Sequence, residues 1–254
     1  MSPRVIAADW SGAARGEARH LWLASVDPTT HQLLSLENAS RQQAADRLIA
    51  AGDRDPDLLV GLDFGFSLPA WFLRARRIAS AAELWADVTR LESWLAACEP
   101  PFWGRPGCRR PSGPPEQHWR RTELAVTPRP KSVFQIGGAG AVGTASLRGM
   151  PVLARLRAAG FAVWPFDEPR PPVVAEVWPR LFAPTVVKSR RPARAAWLAM
   201  LPGLSAPLRE RAEASADAFD AVVAAIGLSG TSPPSGVPDP IAQLEGWIWG
   251  VPFG

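Results

Sequence analysis

The chain has 254 residues, of which 47% are hydrophobic and 20% charged, values typical of a folded globular protein. Its formal net charge of +4 at pH 7 is a modest excess that favours an anionic partner. No apolar run approaches the ~18 residues of a transmembrane helix, and the N-terminus lacks a signal-peptide pattern, so no membrane association and a cytoplasmic location are expected.

The first predicted elements are strands. Arg4–Asp9 is a short apolar run that ends in an acid, and a turn follows at Ser11 and Gly12. His20–Asp27 alternates partly and stops at an Asp-Pro turn, and Gln32–Leu36 is placed to pair back on it. Two successive hairpins predict an antiparallel edge of the sheet.

The next elements predict a helix and a parallel strand. Ser40 and Gln43 form a capping box, and the helix that they open is expected to stop at Gly52. Asp57–Asp63 is an apolar run of strand length, typical of a buried parallel strand.

Residues 70–135 are predicted to form an insertion. Helical periodicity covers Leu84–Ala97, and prolines and glycines predict an irregular loop over 99–117. Ser132–Gly143 is predicted to be a strand that runs into a glycine-rich turn.

The second half of the chain is again predicted to contain both helices and strands. Pro151–Ala159 is predicted to be a helix with its proline in the first turn. Ala162–Phe166 and Val173–Trp178 are predicted strands, and Leu208–Ile226 is the last long helix. The pattern predicts a single α/β domain over 1–254, with a mixed sheet whose first three strands are antiparallel and whose later strands are parallel, flanked by helices.

The C-terminal segment, residues 229–254, is expected to dock on this domain. Its first part, 229–240, is rich in Ser, Gly and Pro and predicts a flexible linker. Ile241–Trp249 is apolar enough to pack against the body.

Two aspartates, Asp9 and Asp63, close apolar strands. Ligands of open α/β sheets gather beyond the carboxyl ends of the strands. A buried carboxylate without a partner is costly, so each acid needs a cation or hydrogen-bond donors. Each also has a simpler interpretation, as a turn or a helix cap.

A second pair of acids, Asp217 and Asp220, lies three residues apart on one face of the last helix. Small residues continue that face, so it is suited to close packing on a sheet. Two like charges on a packing face repel each other unless a cation lies between them. The competing interpretation is a solvated edge of an amphipathic helix.

Carboxylates from several elements predict a site for Mg²⁺ or Mn²⁺, because hard oxygen ligands suit these ions. Two such ions close together activate water and stabilise the leaving oxygen in phosphodiester cleavage. The predicted catalytic and metal-binding set is Asp9, Asp63, Asp217 and Asp220.

Four stretches resemble a known family: AADWSG, VGLDFGFSLP, AEVWPRLF and SADAFDAVVAA. In this order they are similar to the RNase H-like superfamily, and more closely to domain of unknown function 429, whose members are predicted nucleases. The resemblance covers nearly the whole chain. It implies an RNase H-like fold, a metal-dependent nuclease activity and a nucleic acid or nucleotide-like substrate.

The resemblance also adds Glu176, the acid of AEVWPRLF, as a further metal ligand or substrate contact; a structural salt bridge is the alternative. Ser11, Lys131 and Arg148 are candidate substrate-binding residues. Lys131 and Arg148 flank the glycine-rich segment 137–143, which either cradles a phosphate with its backbone N–H groups or forms tight turns. Turn chemistry explains Ser11 equally well.

Two other functions remain open at this point. One is a nucleotide-binding phosphotransferase or ATPase of the actin-like superfamily, which shares this sheet topology. The other is a protein that binds a nucleotide or nucleic acid without cleaving it.

Overall fold

In a computed structural model, which describes residues 4–138, 140–232 and 238–253, the chain forms a mixed α/β fold around a six-stranded sheet. The strands are β1 (Val5–Asp9), β2 (Trp22–Asp27), β3 (Gln32–Asn38), β4 (Leu59–Asp63), β5 (Ala162–Val163) and β6 (Val173–Glu176). Their order across the sheet is β3-β2-β1-β4-β6-β5.

Ten α-helices and three short 3-10 helices surround this sheet within the described part of the chain. The α-helices are α1 (Arg41–Arg54), α2 (Ala70–Ala75), α3 (Ala81–Ala86), α4 (Val88–Ala97), α5 (Arg121–Leu124), α6 (Val142–Ala158), α7 (Arg191–Leu198), α8 (Ala206–Ala214), α9 (Ala216–Ser229) and α10 (Ala242–Glu245). The 3-10 helices cover Glu17–Arg19, Pro115–Gln117 and Pro179–Leu181. None of the helices in these ranges has both the length and the apolar character needed to cross a bilayer.

The sheet has the predicted mixture of directions. β1, β2 and β3 are antiparallel, and β4, β5 and β6 pair in parallel, with β1 and β4 parallel at the junction. The parallel register of β1 and β4 therefore brings their carboxyl ends to one edge of the sheet.

Helices cover both faces of the sheet. On one face, Ala8, Val60 and Leu62 pack in a core with α1 and α6. On the other face, Val5 and Ala7 pack in a second core with α9. Because successive side chains of a strand alternate between faces, a shift of one position decides which helix layer a side chain meets.

Two predicted helix ends are wrong, and packing explains both. α1 continues past Gly52 to Arg54; a Cβ at Gly52 would lie 2.6 Å from Cζ of Phe161, so this glycine permits close packing rather than ending the helix. α6 begins at Val142 and carries Pro151 in its interior, not in its first turn. Most of its residues before the proline are buried, among them Leu147 and Met150, so tertiary contacts stabilise the helix through the proline.

Two predicted long helices are each divided by a capping residue. Asp87 separates α3 from α4, and its carboxylate accepts from the N–H of Arg90 at 3.0 Å. Ser215 separates α8 from α9, and its hydroxyl accepts from the N–H groups of Asp217 and Ala218 at 3.2 and 3.3 Å. Short polar side chains compete with the helix for backbone donors, which explains both breaks.

The predicted strand over Ser132–Gly143 is wrong for the residues that the structure describes, which exclude Ala139. The backbone near Gln135 pairs with the proline-rich loop: Trp103 donates to Phe134 O at 3.1 Å, and Ile136 donates to Trp103 O at 2.9 Å. β5 and β6 are also shorter than predicted, ending at Val163 and Glu176.

The C-terminal tail docks on the body as expected. Trp247, Ile248 and Trp249 are buried, and Ile248 forms a bridge with Glu176. Glu245 accepts from the N–H of Ala70 at 2.6 Å and from the N–H of Arg121 at 2.8 Å, so it caps α2 and α5 together. The tail thereby fastens the inserted helices to the sheet; of the predicted linker over 229–240, residues 233–237 lie outside the described ranges.

Candidate metal centre

The strand-end aspartates are direct neighbours. Asp9 and Asp63 are paired in the parallel register of β1 and β4, at the last position of each strand. Alternation places both side chains on the face that carries Val5, Ala7 and α9. Two carboxylates therefore project from adjacent strands towards the same helix.

α9 supplies the third carboxylate. The helix approaches the sheet closely because Gly61 has no side chain; a Cβ there would lie 2.8 Å from both Leu228 and Val177. Asp220 is buried on the inner face of α9. Asp9, Asp63 and Asp220 each bring a carboxylate oxygen within 4.8 Å of the others.

These three carboxylates destabilise one another's charge. Burial, reinforced by repulsion from Asp63 and Asp220, raises the pKa of Asp9 well above its ordinary value. Burial and repulsion from Asp220 raise the pKa of Asp63 to about 8. Burial also raises the pKa of Asp220, although the ammonium group of Lys188 works against this. The cluster carries more negative charge than its surroundings balance.

Lys188 provides the protein's own positive charge at the cluster. Its ammonium group forms an ion pair and hydrogen bond with Asp220 Oδ2, while much of its side chain stays exposed. Burial alone lowers the pKa of Lys188, but attraction to Asp220, Asp9 and Asp63 outweighs burial and raises it. One ammonium group faces three carboxylates.

The donor set fits a hard divalent cation. Three carboxylates with oxygen atoms this close, on rigid elements and short of positive charge, match the ligands that Mg²⁺ and Mn²⁺ take in proteins. A divalent ion beside Asp9, Asp63 and Asp220 would relieve the repulsion that raises their pKa values.

Asp217, predicted as a fourth ligand, lies beside this cluster rather than in it. Its Oδ2 lies 3.1 Å from Nδ1 of His20 on the protein surface. Its charge still reaches the cluster, because it raises the pKa of Asp9 and of Asp220. It occupies the first turn of α9, where an acid interacts favourably with the helix dipole.

Glu176 lies on the opposite face of the sheet from the cluster. It pairs in register with Leu62, one position before Asp63, so alternation turns it towards the other helix layer. There its two oxygens accept from Arg120 at 2.5 and 2.8 Å, and one of them also accepts from the N–H of Phe66 at 3.0 Å. The salt bridge considered as the alternative is the arrangement found, and it occupies both oxygens of Glu176.

The cluster opens into two adjoining cavities, of about 360 and 620 Å³. Asp63, Lys131, Trp178 and Lys188 line both of them. The larger cavity adds further cations and an apolar wall; its remaining lining includes Arg129, Arg180, Pro128, Pro179 and Val187. The edge that holds the carboxylates is thus continuous with a positively charged groove.

The three residues predicted to bind substrate, Ser11, Lys131 and Arg148, lie at different places in the structure. Lys131 lines the cavities at the carboxylates. Arg148 lies in a different cavity, where it donates to Gly12 O. The hydroxyl of Ser11 is used locally, accepting from the N–H of Ala13 at 3.2 Å.

Sequence reasoning missed the roles of Lys188 and Arg120. The sequence does set Lys188 apart, because only two of the 28 basic residues are lysines. Both of them, Lys131 and Lys188, line the cavities at the cluster. Nothing in the sequence distinguishes Arg120 from the other arginines of its loop.

Searches among protein-family models, curated proteins and solved structures found no match to this chain. The resemblance to domain of unknown function 429 and to RNase H-like nucleases stays a prediction.

Proposed function

We propose that this protein is a metal-dependent phosphodiester hydrolase that acts on nucleic acid. The observation that carries the proposal is the cluster of Asp9, Asp63 and Asp220, whose oxygens lie within 4.8 Å of one another at the mouth of a positively charged groove. Carboxylates short of positive charge beside a surface suited to an anion are the combination that metal-assisted phosphoryl chemistry requires.

Asp9, Asp63 and Asp220 would hold the Mg²⁺ or Mn²⁺. When bound, the ion supplies the positive charge that activates a water molecule and stabilises negative charge on the phosphate. The strand ends and α9 keep the carboxylates in place before the substrate arrives, which limits the reorganisation needed for reaction.

The groove supplies the contacts to the substrate. Lys131 and Lys188 line it next to the carboxylates and would bind phosphate oxygens as point charges. Trp178 lines both cavities as well, and its ring would stack on a base. A groove of this composition favours single-stranded or distorted nucleic acid over a small soluble phosphodiester.

The test is cleavage of labelled single-stranded DNA and RNA with Mg²⁺, with Mn²⁺ and with EDTA. We expect cleavage that requires the metal and falls by at least about a thousandfold in Asp9→Asn, because a charged ligand is lost while the shape is kept. Asp217→Asn is the matched control: the same change, made beside the cluster, should reduce the rate by less than about tenfold.

Calorimetry with Mn²⁺ tests the metal centre directly, even if the cleavage rate is too low to measure. Binding that disappears in Asp9→Asn and persists in Asp217→Asn supports the metal centre. If the wild-type protein binds no Mn²⁺, or if Asp9→Asn binds it unchanged, the proposed function is wrong.

A further inference from the structure

A third cavity, of about 490 Å³, is lined by Ala14, whereas Gly12, two residues earlier, lines the smaller of the two cavities at the carboxylates. Three arginines line this third cavity: Arg41 at the start of α1, Arg105 in the proline-rich loop and Arg148 in α6. These residues lie far apart in the sequence, so the fold brings the three guanidinium groups together.

The three charges repel one another. Burial lowers the pKa of Arg148, and the nearby charges of Arg41 and Arg105 lower it further, while Glu17 and Glu92 act in the opposite sense. Yet none of the ion pairs formed by the described residues includes any of these three arginines. Glu92 also lines the cavity, so its lining carries three positive charges against one negative charge, a net excess of positive charge.

Most of the hydrogen-bonding capacity of these arginines is also unused. Arg41 Nη1 donates to Ser11 O and Ala13 O, both at 3.0 Å, and Arg148 Nη1 donates to Gly12 O. Arg105 Nη1 makes one long bond, of 3.3 Å, to Ala96 O. Within the described residues the Nε and Nη2 groups of all three have no partner, and paired N–H donors of this kind match the oxygens of a phosphate.

Two of the arginines, Arg41 and Arg148, contact the backbone of residues 11–13, which also borders the cavity at the carboxylates. Gly12 accepts from Arg148 and also lines the cleft that holds Asp9 and Asp63. Ala14, two residues later, lines the arginine cavity. Residues 12–14 therefore contribute to both cavities, which makes the two cavities neighbours along the same stretch of backbone.

We propose that Arg41, Arg105 and Arg148 form a second anion site, which binds a backbone phosphate of the polynucleotide whose scissile phosphate lies at the carboxylates. The inference rests on the proposed function for the identity of the ligand. The chemistry recognised is a phosphate group, and a free phosphate ion is the other source of it.

Arg105 is the position to test, because its side chain makes a single long bond, whereas Arg41 and Arg148 contact the backbone of residues 11–13. The experiment measures binding of a fluorescent single-stranded oligonucleotide by anisotropy in EDTA, between about 50 and 200 mM salt. We expect Arg105→Gln to weaken binding about three- to tenfold at the lower salt and to reduce the salt slope by about 0.7, the value for one phosphate contact on a single strand. Arg105→Lys keeps the charge and should keep the slope.

Arg109→Gln is the matched control, since it removes the same charge from an exposed position of the same loop. An unchanged slope in Arg105→Gln, or an equal change in Arg109→Gln, overturns the site. A thermal stabilisation by inorganic phosphate that depends on Arg105, without any change in the oligonucleotide slope, overturns the polynucleotide as the ligand.

The two proposals fail in different ways. If the proposed function is wrong, Mn²⁺ binding and cleavage are absent while the Arg105-dependent salt slope remains. If the second anion site is wrong, metal-dependent cleavage remains and the slope of Arg105→Gln equals that of the wild type.

Discussion

Two groups of acids lie at the same edge of the sheet, and they differ in how their charge is balanced. One group is the metal-centre cluster of Asp9, Asp63 and Asp220. The other is Glu123 and Glu176 around Arg120, which we call the arginine network. Glu176 pairs with Leu62 of β4, and Asp63 is the next residue of that strand. The two groups therefore lie beside successive positions of β4, on opposite faces of the sheet.

The arginine network is closer to charge balance, with one guanidinium group between two carboxylates, although burial still raises the pKa of Glu123 to about 7. Arg120 is 1% exposed and its guanidinium contacts both glutamates, with Nε 3.0 Å from Glu123 Oε1 and Nη2 2.5 Å from Glu176 Oε1. Its Nη1 also donates to Glu245 O in the tail at 3.1 Å. A buried cation fixed in this way joins the insertion, the sheet and the tail.

The metal-centre cluster lacks such a partner. Among the described residues the cluster's ion-pair partner is Lys188, whose side chain is 55% exposed, whereas the guanidinium group of the arginine network is buried. The comparison shows that buried acids alone do not identify a functional site. What distinguishes the cluster is a larger excess of negative charge, because three carboxylates lie around one paired ammonium group.

The largest expected effect is on the arginine network. Arg120→Met should lower the free energy of unfolding by about 3–5 kcal/mol, because it leaves Glu123 and Glu176 buried without a cation. Urea denaturation measures it. Arg121→Gln is the control, since it removes the neighbouring exposed ion pair to Asp239 and should cost at most about 1 kcal/mol. Equal losses in the two variants would show that the network contributes no more than a surface pair.

The second prediction concerns the pH dependence of the metal-centre cluster. Folding raises the pKa of Asp63 from 3.8 to about 8, so the fold favours the protonated acid. The stability that this contributes is complete below about pH 4 and is lost as the pH rises through 8. In EDTA we therefore expect the wild-type Tm to fall between pH 5 and pH 8.

Asp63→Asn removes the ionisable group, so its Tm should fall less over the same range. Mn²⁺ should raise the wild-type Tm more at pH 8 than at pH 5. The affinity of the protein for Mn²⁺ should drop about a hundredfold in Asp63→Asn, a loss of about 2.8 kcal/mol in binding free energy. Asp53→Asn, at an exposed position of α1, should follow the wild type. Parallel Tm curves for all three proteins would contradict the raised pKa.

The smallest effect is expected at Lys188. If its ammonium group balances part of the cluster's charge, Lys188→Gln should tighten Mn²⁺ binding about fivefold, because a repulsion of about 1 kcal/mol is removed. Lys131→Gln is the control, since Lys131 lines the same cavities but forms no ion pair with the cluster among the described residues. Calorimetry that finds weaker Mn²⁺ binding in Lys188→Gln would instead make Lys188 a support of the carboxylates.

Local sequence patterns predicted much of the fold. The capping box at Ser40 and Gln43 is confirmed, as are the antiparallel opening strands and the parallel strand that ends at Asp63. These features depend on neighbours in the chain, through hydrogen bonds to nearby N–H groups and the alternation of apolar residues. The ends of α1 and α6 were mispredicted because Gly52 and Pro151 are governed by distant contacts with Phe161 and the core.

The site divides in the same way. Strand-end position alone marked Asp9 and Asp63, and helical spacing marked Asp217 and Asp220, because these are properties of the chain itself. Tertiary structure decided which acids meet: it placed Asp220 with Asp9 and Asp63, left Asp217 beside His20 and turned Glu176 towards Arg120. The physical reason is that a carboxylate's surroundings depend on strand register and on the sheet face that it occupies. Glu176 pairs with Leu62, one position before Asp63, and therefore faces the buried guanidinium group of Arg120 instead of the aspartate cluster.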